Sequence, residues 1–296
     1  MSITTTTPLT FYDIATRPPA ETNCCSPNTW KSRFALNYKH APYSTVWVPL
    51  LDVTKVRKSL HVPACRKFAD GSDFYTLPIL HDRGTTTEGG TGPGTGTLVG
   101  DSFDIAVHLQ ETYPDAGPAG STGDNDLFPP QTLDYTFGNH DIVVPLTGVR
   151  DRREKYAPYA QFNVHVDAVF SAHVQLTVQG FRFDPATEDA VKAQFVSRAG
   201  VASWEDFKLE GEAREKTVEA FREALGELAR LFRRDPAGPF VLGQRPSYAD
   251  FIVGGWLRMM DAMLPSGEWE GLKAWHDGVF GRLHNALEVY TDMKTV

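Results

Sequence analysis

The chain is organised around one segment, Cys24-Cys-Ser-Pro-Asn-Thr-Trp-Lys-Ser-Arg-Phe-Ala-Leu-Asn-Tyr-Lys39, which follows the strand-like run Phe11-Tyr-Asp-Ile14. The apolar residues of the segment recur at roughly helical spacing, so the pattern predicts a strand, a loop and a helix. Serine is a preferred N-cap and proline a preferred first helical residue, so the helix should begin at Ser26 and Pro27. Unpaired N–H groups and the positive dipole end favour an anion there, or an ionised thiol. Ser26 is therefore either a simple cap or part of an anion site.

Composition and charge narrow the functions open to the chain. Its 296 residues, 41% of them hydrophobic, suffice for two ordinary domains. The formal net charge of −8, with no long block of like charge, argues against a nucleic-acid partner, because phosphate binding favours a basic face. The amino end lacks the basic start and apolar run of a signal peptide, and no segment reaches the roughly 18 to 20 apolar residues of a membrane span. We expect a soluble, cytoplasmic protein without a membrane partner.

The cysteines and histidines indicate neither a disulfide framework nor a metal site. The three cysteines, Cys24, Cys25 and Cys65, are few and odd in number. The nine histidines show no paired ligand motif, so no metal is expected. Cys24 and Cys25 stand beside the predicted helix start, where they are either reactive thiols or small apolar loop residues.

The first 115 residues have the pattern of a small α/β module. Runs rich in β-formers predict strands at Tyr43–Val48 and Thr97–Gly100, and helical spacing predicts helices at Val53–Leu60 and Phe103–Tyr113. Pro78 cannot donate to a sheet ladder, so it should open a strand or lie at a sheet edge. The resulting order, β-α-β-α-β-β-α, predicts a mixed sheet with helices packed on it.

The remainder of the chain has the pattern of an all-helical domain. Apolar residues at helical spacing predict helices over about 158–180, 210–234, 247–260 and 272–290. A stretch rich in Gly, Pro and Ser predicts an interdomain linker at 116–131, so the domains should span 1–115 and 132–296. The Gly/Thr-rich loop 84–96 and the irregular region 134–156 have the character of insertions. The loop lacks the Lys-Ser/Thr that ends a phosphate-binding loop.

Several motifs together resemble cytosolic glutathione transferases. They are Ser26-Pro-Asn-Thr-Trp-Lys-Ser-Arg-Phe-Ala-Leu-Asn-Tyr-Lys39, Phe74-Tyr-Thr-Leu-Pro-Ile79 and Gly100-Asp-Ser-Phe-Asp-Ile-Ala106. Within that superfamily they resemble the fungal class called FuA, which is related to bacterial β-etherases and belongs largely to wood-degrading fungi. The resemblance implies a thioredoxin-like α/β N-terminal domain followed by an all-α C-terminal domain.

The resemblance also implies roles for individual residues, with glutathione as co-substrate. Ser26 matches the catalytic hydroxyl that donates to the glutathione sulfur. Leu77 matches the residue whose backbone pairs with the cysteinyl part, and Pro78 the cis-proline. Asp101 and Ser102 match the pair that holds the γ-glutamyl group.

Two further parts of the glutathione site are less fixed by the resemblance. Asn28 lies close after Ser26 and could assist at the thiolate. A basic residue near the second helix should hold the glycyl carboxylate, and Arg57, Arg66 and Lys67 all qualify by position. We place Lys67 in the predicted glutathione site.

The predicted function is attack of a serine-stabilised glutathione thiolate on hydrophobic aromatic electrophiles. The class resemblance implies wood-derived polyphenols as ligands, a role in detoxification, glutathione-dependent ether cleavage and a homodimer. Two alternatives stay open: a non-catalytic carrier of aromatic ligands, and a thiol transferase that uses Cys24 or Cys25. Trp256, Met259 and Met260 are interpreted as core residues and not as ligand contacts.

Overall fold

The computed structural model describes residues 8–68, 71–84, 96–117, 125–138 and 155–294. Its strands are β1 (Leu9–Ala15), β2 (Tyr43–Pro49), β3 (Arg66–Lys67), β4 (Asp73–Phe74), β5 (Ile79–Asp82) and β6 (Thr97–Val99). Its helices are α1 (Ala20–Asn23), α2 (Pro27–Tyr38), α3 (Val53–Ser59), α4 (Ser102–Thr112), α5 (Ala157–Ala172), α6 (Gln175–Val178), α7 (Glu188–Ala199), α8 (Gly211–Ala224), α9 (Gly226–Leu231), α10 (Tyr248–Met263) and α11 (Ser266–Leu287).

The first domain is built on a four-stranded mixed sheet in the order β2-β1-β5-β6. β1 pairs parallel with β2 and antiparallel with β5, and β5 pairs antiparallel with β6. β3 and β4 form a separate two-stranded hairpin. The predicted fold class, a thioredoxin-like α/β domain followed by an all-helical domain, is confirmed. The short helix α1 and the hairpin β3–β4 were not predicted.

Strand alternation divides the first domain between two apolar clusters. Phe11 and Leu80 point to the face covered by α2 and α4, whereas Ile14 and Ile79 belong to a smaller cluster on the α3 side. Because neighbouring residues of a strand face opposite sides of a sheet, one short strand contributes side chains to both clusters. The larger cluster continues without interruption into the helical domain.

The helical domain differs from the prediction where predicted helices are interrupted or kinked. The helix predicted to reach Gly180 is interrupted at His173, and the one predicted over 210–234 is interrupted at Leu225. The last helix is kinked at Trp275–Gly278, where His276 and Asp277 have positive φ angles of 50° and 63°. α7 was missed altogether, because Val191 is its one buried residue and its apolar face is weak.

The two domains meet where α10 crosses α2. A Cβ atom on Gly255 would lie 2.5 Å from the carbonyl oxygen of Pro27 and 2.9 Å from Cγ of Lys31. Glycine therefore allows α10 to lie directly against the first turn of α2. Trp256 and Met260 are buried beside it and Met259 is partly buried, in keeping with their interpretation as core residues.

The predicted insertions fall largely, and the predicted linker partly, outside the described residues, which omit 85–95, 118–124 and 139–154. The domain limits at 115 and 132 therefore remain predictions. Across the ranges that are described, no helix has both the length and the apolar character needed to cross a membrane.

Candidate functional site

The register of the sheet gathers the predicted site residues at one end of the first domain. Tyr12 pairs with Ile79 and Leu80 pairs with Val99. Continuing the first register by one residue and the second by two places Pro78 level with Asp13 on one side and Asp101 on the other. Three chain ends therefore lie together: the start of β5, the start of α4 and the carboxyl end of β1. The chain continues from that end of β1 towards α2.

Ser26 stands at the start of α2 as predicted, but its side chain does not cap the helix. Its backbone is extended (φ −64°, ψ 122°), Pro27 is the first helical residue, and the hydroxyl forms no cap hydrogen bond. The residue is half-buried, and the Ser26 carbonyl, not its hydroxyl, accepts the hydrogen bond of the first helical turn from the Trp30 N–H (3.2 Å). The hydroxyl is thus left available at a helix N-terminus, where anions are favoured.

The Leu77–Pro78 peptide bond is cis, and β5 begins directly after it at Ile79. Leu77 is buried beside Ile14 and Ile79. Within the described ranges, the Leu77 N–H and C=O make no backbone hydrogen bond, and the C=O receives only a long one from the Thr76 hydroxyl (3.4 Å). Buried backbone groups are nearly always paired, so this dipeptide offers a donor and an acceptor that require a partner.

Asp101 and Ser102 form the start of α4. Asp101 is the N-cap residue, and its Oδ1 accepts hydrogen bonds from the N–H groups of Phe103 (2.9 Å) and Asp104 (3.3 Å). Ser102 is buried, and its carbonyl accepts a hydrogen bond from the Tyr248 hydroxyl (2.9 Å). The first residue of α10 thereby fixes the start of α4, and the helical domain helps to shape this end of the sheet.

The three basic candidates for the glycyl carboxylate have different surroundings. Arg57 is buried, and its guanidinium donates to the backbone carbonyls of Thr76, Pro63 and Gly100 (2.9 Å for Gly100). It therefore ties the segment before Pro78 to the start of α4, and both of its terminal nitrogens donate to groups inside the protein.

Arg66 and Lys67 lie on opposite faces of the β3–β4 hairpin. Arg66 pairs with Phe74, and Lys67 pairs with Asp73, and residues directly opposite in a hairpin share a face. The Lys67 side chain is 70% exposed, with its Nζ 3.8 Å from Asp73. On the other face, Arg66 reaches within 3.8 Å of Asp167 in the helical domain. Arg66, not Lys67, faces the helical domain.

The structure adds a cation that the sequence did not suggest. Arg198 extends from α7 across the ring of Phe74, with its guanidinium carbon 5.2 Å from the ring centre. Burial lowers its pKa, and among the described residues no carboxylate counters that effect. Because α7 was not predicted, nothing in the sequence pattern placed Arg198 near the hairpin.

A second unexpected feature is a buried polar cluster behind the first turn of α2. Lys31 is 0% exposed, and its Nζ donates to Oδ1 of Asn28 (3.1 Å), Oδ1 of Asn163 (2.9 Å) and Oδ1 of Asp167. Burial lowers the pKa of Lys31, and the charge of Asp167 opposes that shift. The partners in α5 lie 132 and 136 residues further along the chain, so no local pattern could have revealed them.

Cys24 and Cys25 have the properties of inert thiols. Both are buried, and burial raises the pKa of both, to about 12 for Cys25. Thiolates are the nucleophilic form, and such pKa values keep that form scarce near neutral pH. These surroundings argue against the alternative of a cysteine-dependent thiol transferase.

A cavity of about 320 Å³ lies beside these cysteines, on the Trp30 side of α2. Its walls combine aromatic, apolar and charged side chains, among them Trp30, Met263, Arg182, Arg258 and Asp261. The guanidinium carbon of Arg258 lies 4.6 Å from the centre of the Trp30 ring. The cavity is thus bordered by a planar cation stacked on an aromatic ring.

Comparisons with known proteins agree with this fold. Two family models match the chain. The model of the glutathione S-transferase N-terminal domain matches residues 25–112, and the model of the C-terminal domain matches residues 164–290. The chain is 27% identical to the glutathione S-transferase-like protein ustS of Aspergillus flavus, over 94% of this chain and 92% of that protein.

Solved structures show the same relationship. A Ceriporiopsis subvermispora glutathione S-transferase, CsGST63524, crystallised with glutathione, is 26% identical with a TM-score of 0.69, covering 97% of this chain and 99% of that one. GSTFuA3 from Phanerochaete chrysosporium is 25% identical with a TM-score of 0.66, covering 98% and 99%. The chain belongs to the glutathione S-transferase family.

Proposed function

We propose that this protein is a serine-type glutathione transferase that directs the thiolate of glutathione onto hydrophobic aromatic electrophiles. The observation that carries the proposal is the uncommitted Ser26 hydroxyl at the start of α2, at the sheet end shared by the cis-proline and the α4 N-terminus. A hydroxyl there can donate to a sulfur, and the helix end favours the ionised form.

Glutathione fits the groups at this end of the sheet. Its cysteinyl N–H and C=O can pair with the Leu77 backbone, which has no backbone partner in the described residues. The γ-glutamyl carboxylate then reaches Ser102 at the positive end of α4, and its ammonium reaches Asp101. The C. subvermispora relative was crystallised with glutathione, which supports glutathione as the bound tripeptide.

Antiparallel pairing sets the direction of the tripeptide. If the cysteinyl part faces Leu77 and the γ-glutamyl part faces α4, the glycyl end runs towards Phe74. Arg198 covers the Phe74 ring and Arg66 shares its face of the hairpin. We therefore assign the glycyl carboxylate to Arg198 and Arg66, with Lys67 on the outer face as the competing candidate.

The variants Arg198→Gln and Lys67→Gln decide between these candidates. Loss of a charge-assisted hydrogen bond should raise KM for glutathione about tenfold or more in Arg198→Gln. Lys67→Gln should change it less than twofold. The reverse order of effects would return the carboxylate to Lys67.

The chemical step follows from the site. The thiol proton leaves to solvent, and the Ser26 hydroxyl stabilises the resulting thiolate by donating a hydrogen bond to it. The sulfur then forms a bond to an electron-poor carbon while the leaving group departs with its electron pair. With an activated aryl ether as second substrate, the departing group is an aryloxide. We place the second substrate where the helical domain faces Ser26, in a mostly apolar pocket.

Turnover of chlorodinitrobenzene with glutathione, measured beside direct binding of flavonoids, tests the proposal. A glutathione-dependent rate that falls in Ser26→Ala supports it. Flavonoid binding without any turnover would indicate a non-catalytic carrier instead. The resemblance of the sequence motifs to the FuA class supports wood-derived polyphenols as the ligand class.

The family relationship also supports a cytoplasmic homodimer with a role in detoxification. Light scattering of the purified chain should give twice the 32.8 kDa chain mass. A mass equal to one chain would contradict the dimer.

A further inference from the structure

We infer that Lys31, held in place by the helical domain, is a positioning residue that orients the Asn28 amide so that its NH₂ group faces the glutathione sulfur. The inference rests on the proposed function and concerns how the thiolate is stabilised there. It gives the buried cluster behind α2 a role that neither the fold nor the Ser26 hydroxyl requires.

The chemistry of the lysine fixes which way the amide points. An ammonium group has three donors and no acceptor, so the Asn28 atom at 3.1 Å from Nζ must be the oxygen. Amide orientation is often ambiguous, but a donor-only neighbour removes the ambiguity. The Asn28 Nδ2 group therefore projects away from Lys31.

The Asn28 NH₂ group is available to a ligand. Within the described part of the chain it has no hydrogen-bonding partner, and Asn28 is half-buried, not sealed in the core. Asn28 lies in the first turn of α2, two residues after Ser26. Two donors, one hydroxyl and one amide, are thus available at the helix end where the sulfur is proposed to bind.

The helical domain supplies the force that holds the lysine. Asp167 and Asn163, both in α5, accept hydrogen bonds from Lys31, and Asp167 also accepts one from the Trp256 indole N–H (2.7 Å). Gly255 brings α10 against the Lys31 stem. Burying an ion pair is weak evidence for a stabilising role, because desolvation offsets the attraction. Orientation of Asn28 accounts for the placement of a charged pair here.

The test measures the pKa of the thiol of bound glutathione by the ultraviolet absorbance of the thiolate, together with kcat and KM. Asn28→Ala removes the NH₂ donor without adding a charge. We expect it to raise the thiol pKa by about one unit, the scale of one hydrogen bond to a charged group. Asn28→Asp keeps the shape of the side chain and its bond to Lys31 but replaces the donor with a charged oxygen, so it should raise the thiol pKa by at least as much.

Lys31→Met should raise the same pKa by a smaller amount and lower kcat more than it changes KM. Because Lys31 acts through Asn28, the double variant with Asn28→Ala should match Asn28→Ala alone. The matched control is Lys39→Met: Lys39 is also buried, at the end of α2, and donates to the carbonyls of Pro114 (3.1 Å) and Asn125 (2.6 Å). It should leave the thiol pKa unchanged.

If Lys31→Met does not fold, Asn163→Ala removes one of the acceptors that hold Lys31 and should give the same pattern. Additive effects of the Lys31 and Asn28 changes, or an unchanged thiol pKa in Asn28→Ala, would overturn the inference. These outcomes are distinct from failure of the proposed function, in which the unaltered protein itself would not lower the thiol pKa of glutathione.

Discussion

Helices α2 and α10 both have a serine at the N-cap position, and the hydroxyl groups of the two serines have different partners. Ser247, at the start of α10, is buried and forms a capping box with Asp250. Its hydroxyl donates to Oδ2 of Asp250 (2.9 Å) and accepts from Nε2 of Gln131 (3.0 Å). Ser26, at the start of α2, is half-buried and caps nothing.

The difference separates a serine that stabilises the fold from one that is left for chemistry. A capping serine typically contributes about 1 kcal/mol, and the Ser247 hydroxyl is fully committed to that role. The Ser26 hydroxyl makes no such contribution, and its O–H group is available to donate to a ligand. Identical residues at identical helix positions therefore indicate function only through their partners.

The largest expected effect is the loss of activity in Ser26→Ala, and it tests whether the two serines differ in role. Loss of a hydrogen bond to a charged sulfur costs roughly 1.5–3 kcal/mol, so kcat/KM should fall about 10- to 100-fold. Because the hydroxyl caps nothing, the thermal midpoint should stay the same. Steady-state kinetics and calorimetry on one preparation provide both values, and a lower midpoint with intact activity would assign Ser26 to the fold.

Next in size is Gly255→Ala, which acts on the first turn of α2 from the other domain. The new Cβ atom would lie 2.5 Å from the Pro27 carbonyl oxygen, and such overpacking typically costs about 1–3 kcal/mol. We expect a lower thermal midpoint and lower kcat/KM, because the helix end that carries Ser26 must shift. The corresponding change at Gly267, which has open space around it, is the control and should leave kcat/KM unchanged.

Ser247→Ala sharpens the comparison from the opposite side. Removing the cap should lower the free energy of unfolding by about 1–2 kcal/mol and leave kcat/KM within twofold of the unaltered protein. Urea denaturation followed by circular dichroism measures the first quantity. A loss of activity larger than the loss of stability explains would contradict the division between the two serines.

The smallest expected effect concerns Cys24 and Cys25, the two residues that precede Ser26. Burial raises the pKa of both, to about 12 for Cys25, so the thiolate forms only as the pH rises towards those values. Iodoacetamide at pH 8 should therefore label neither residue in the folded protein, and both in urea. Mass spectrometry after digestion shows the sites, and rapid labelling in the folded state would restore the thiol transferase alternative.

The sequence predicted those parts of the site that depend on local pattern. The Ser26-Pro27 start of α2 and the Asp101 cap of α4 follow from residue preferences within one turn of helix, and both are present. The break at Leu225 was missed because the apolar face of α8 continues into α9 across it.

The rest of the site depends on distant partners and could not be predicted. Lys31 gave no sign of burial, since its acid partner Asp167 is in the other domain. Which face of the β3–β4 hairpin Lys67 occupies depends on its register with Asp73, and two-residue strands leave too little pattern to predict a register. Arg198 required the unpredicted helix α7.

The central claim is that the open helix end at Ser26 keeps the sulfur of glutathione ionised. Titration of the thiol of bound glutathione in the unaltered protein, in Ser26→Ala and in Ser247→Ala tests it most directly. The account predicts a pKa well below that of a free thiol, near 8.5, in the unaltered protein and in Ser247→Ala, and a rise of at least one unit in Ser26→Ala. The same pKa in Ser26→Ala and in the unaltered protein would contradict it.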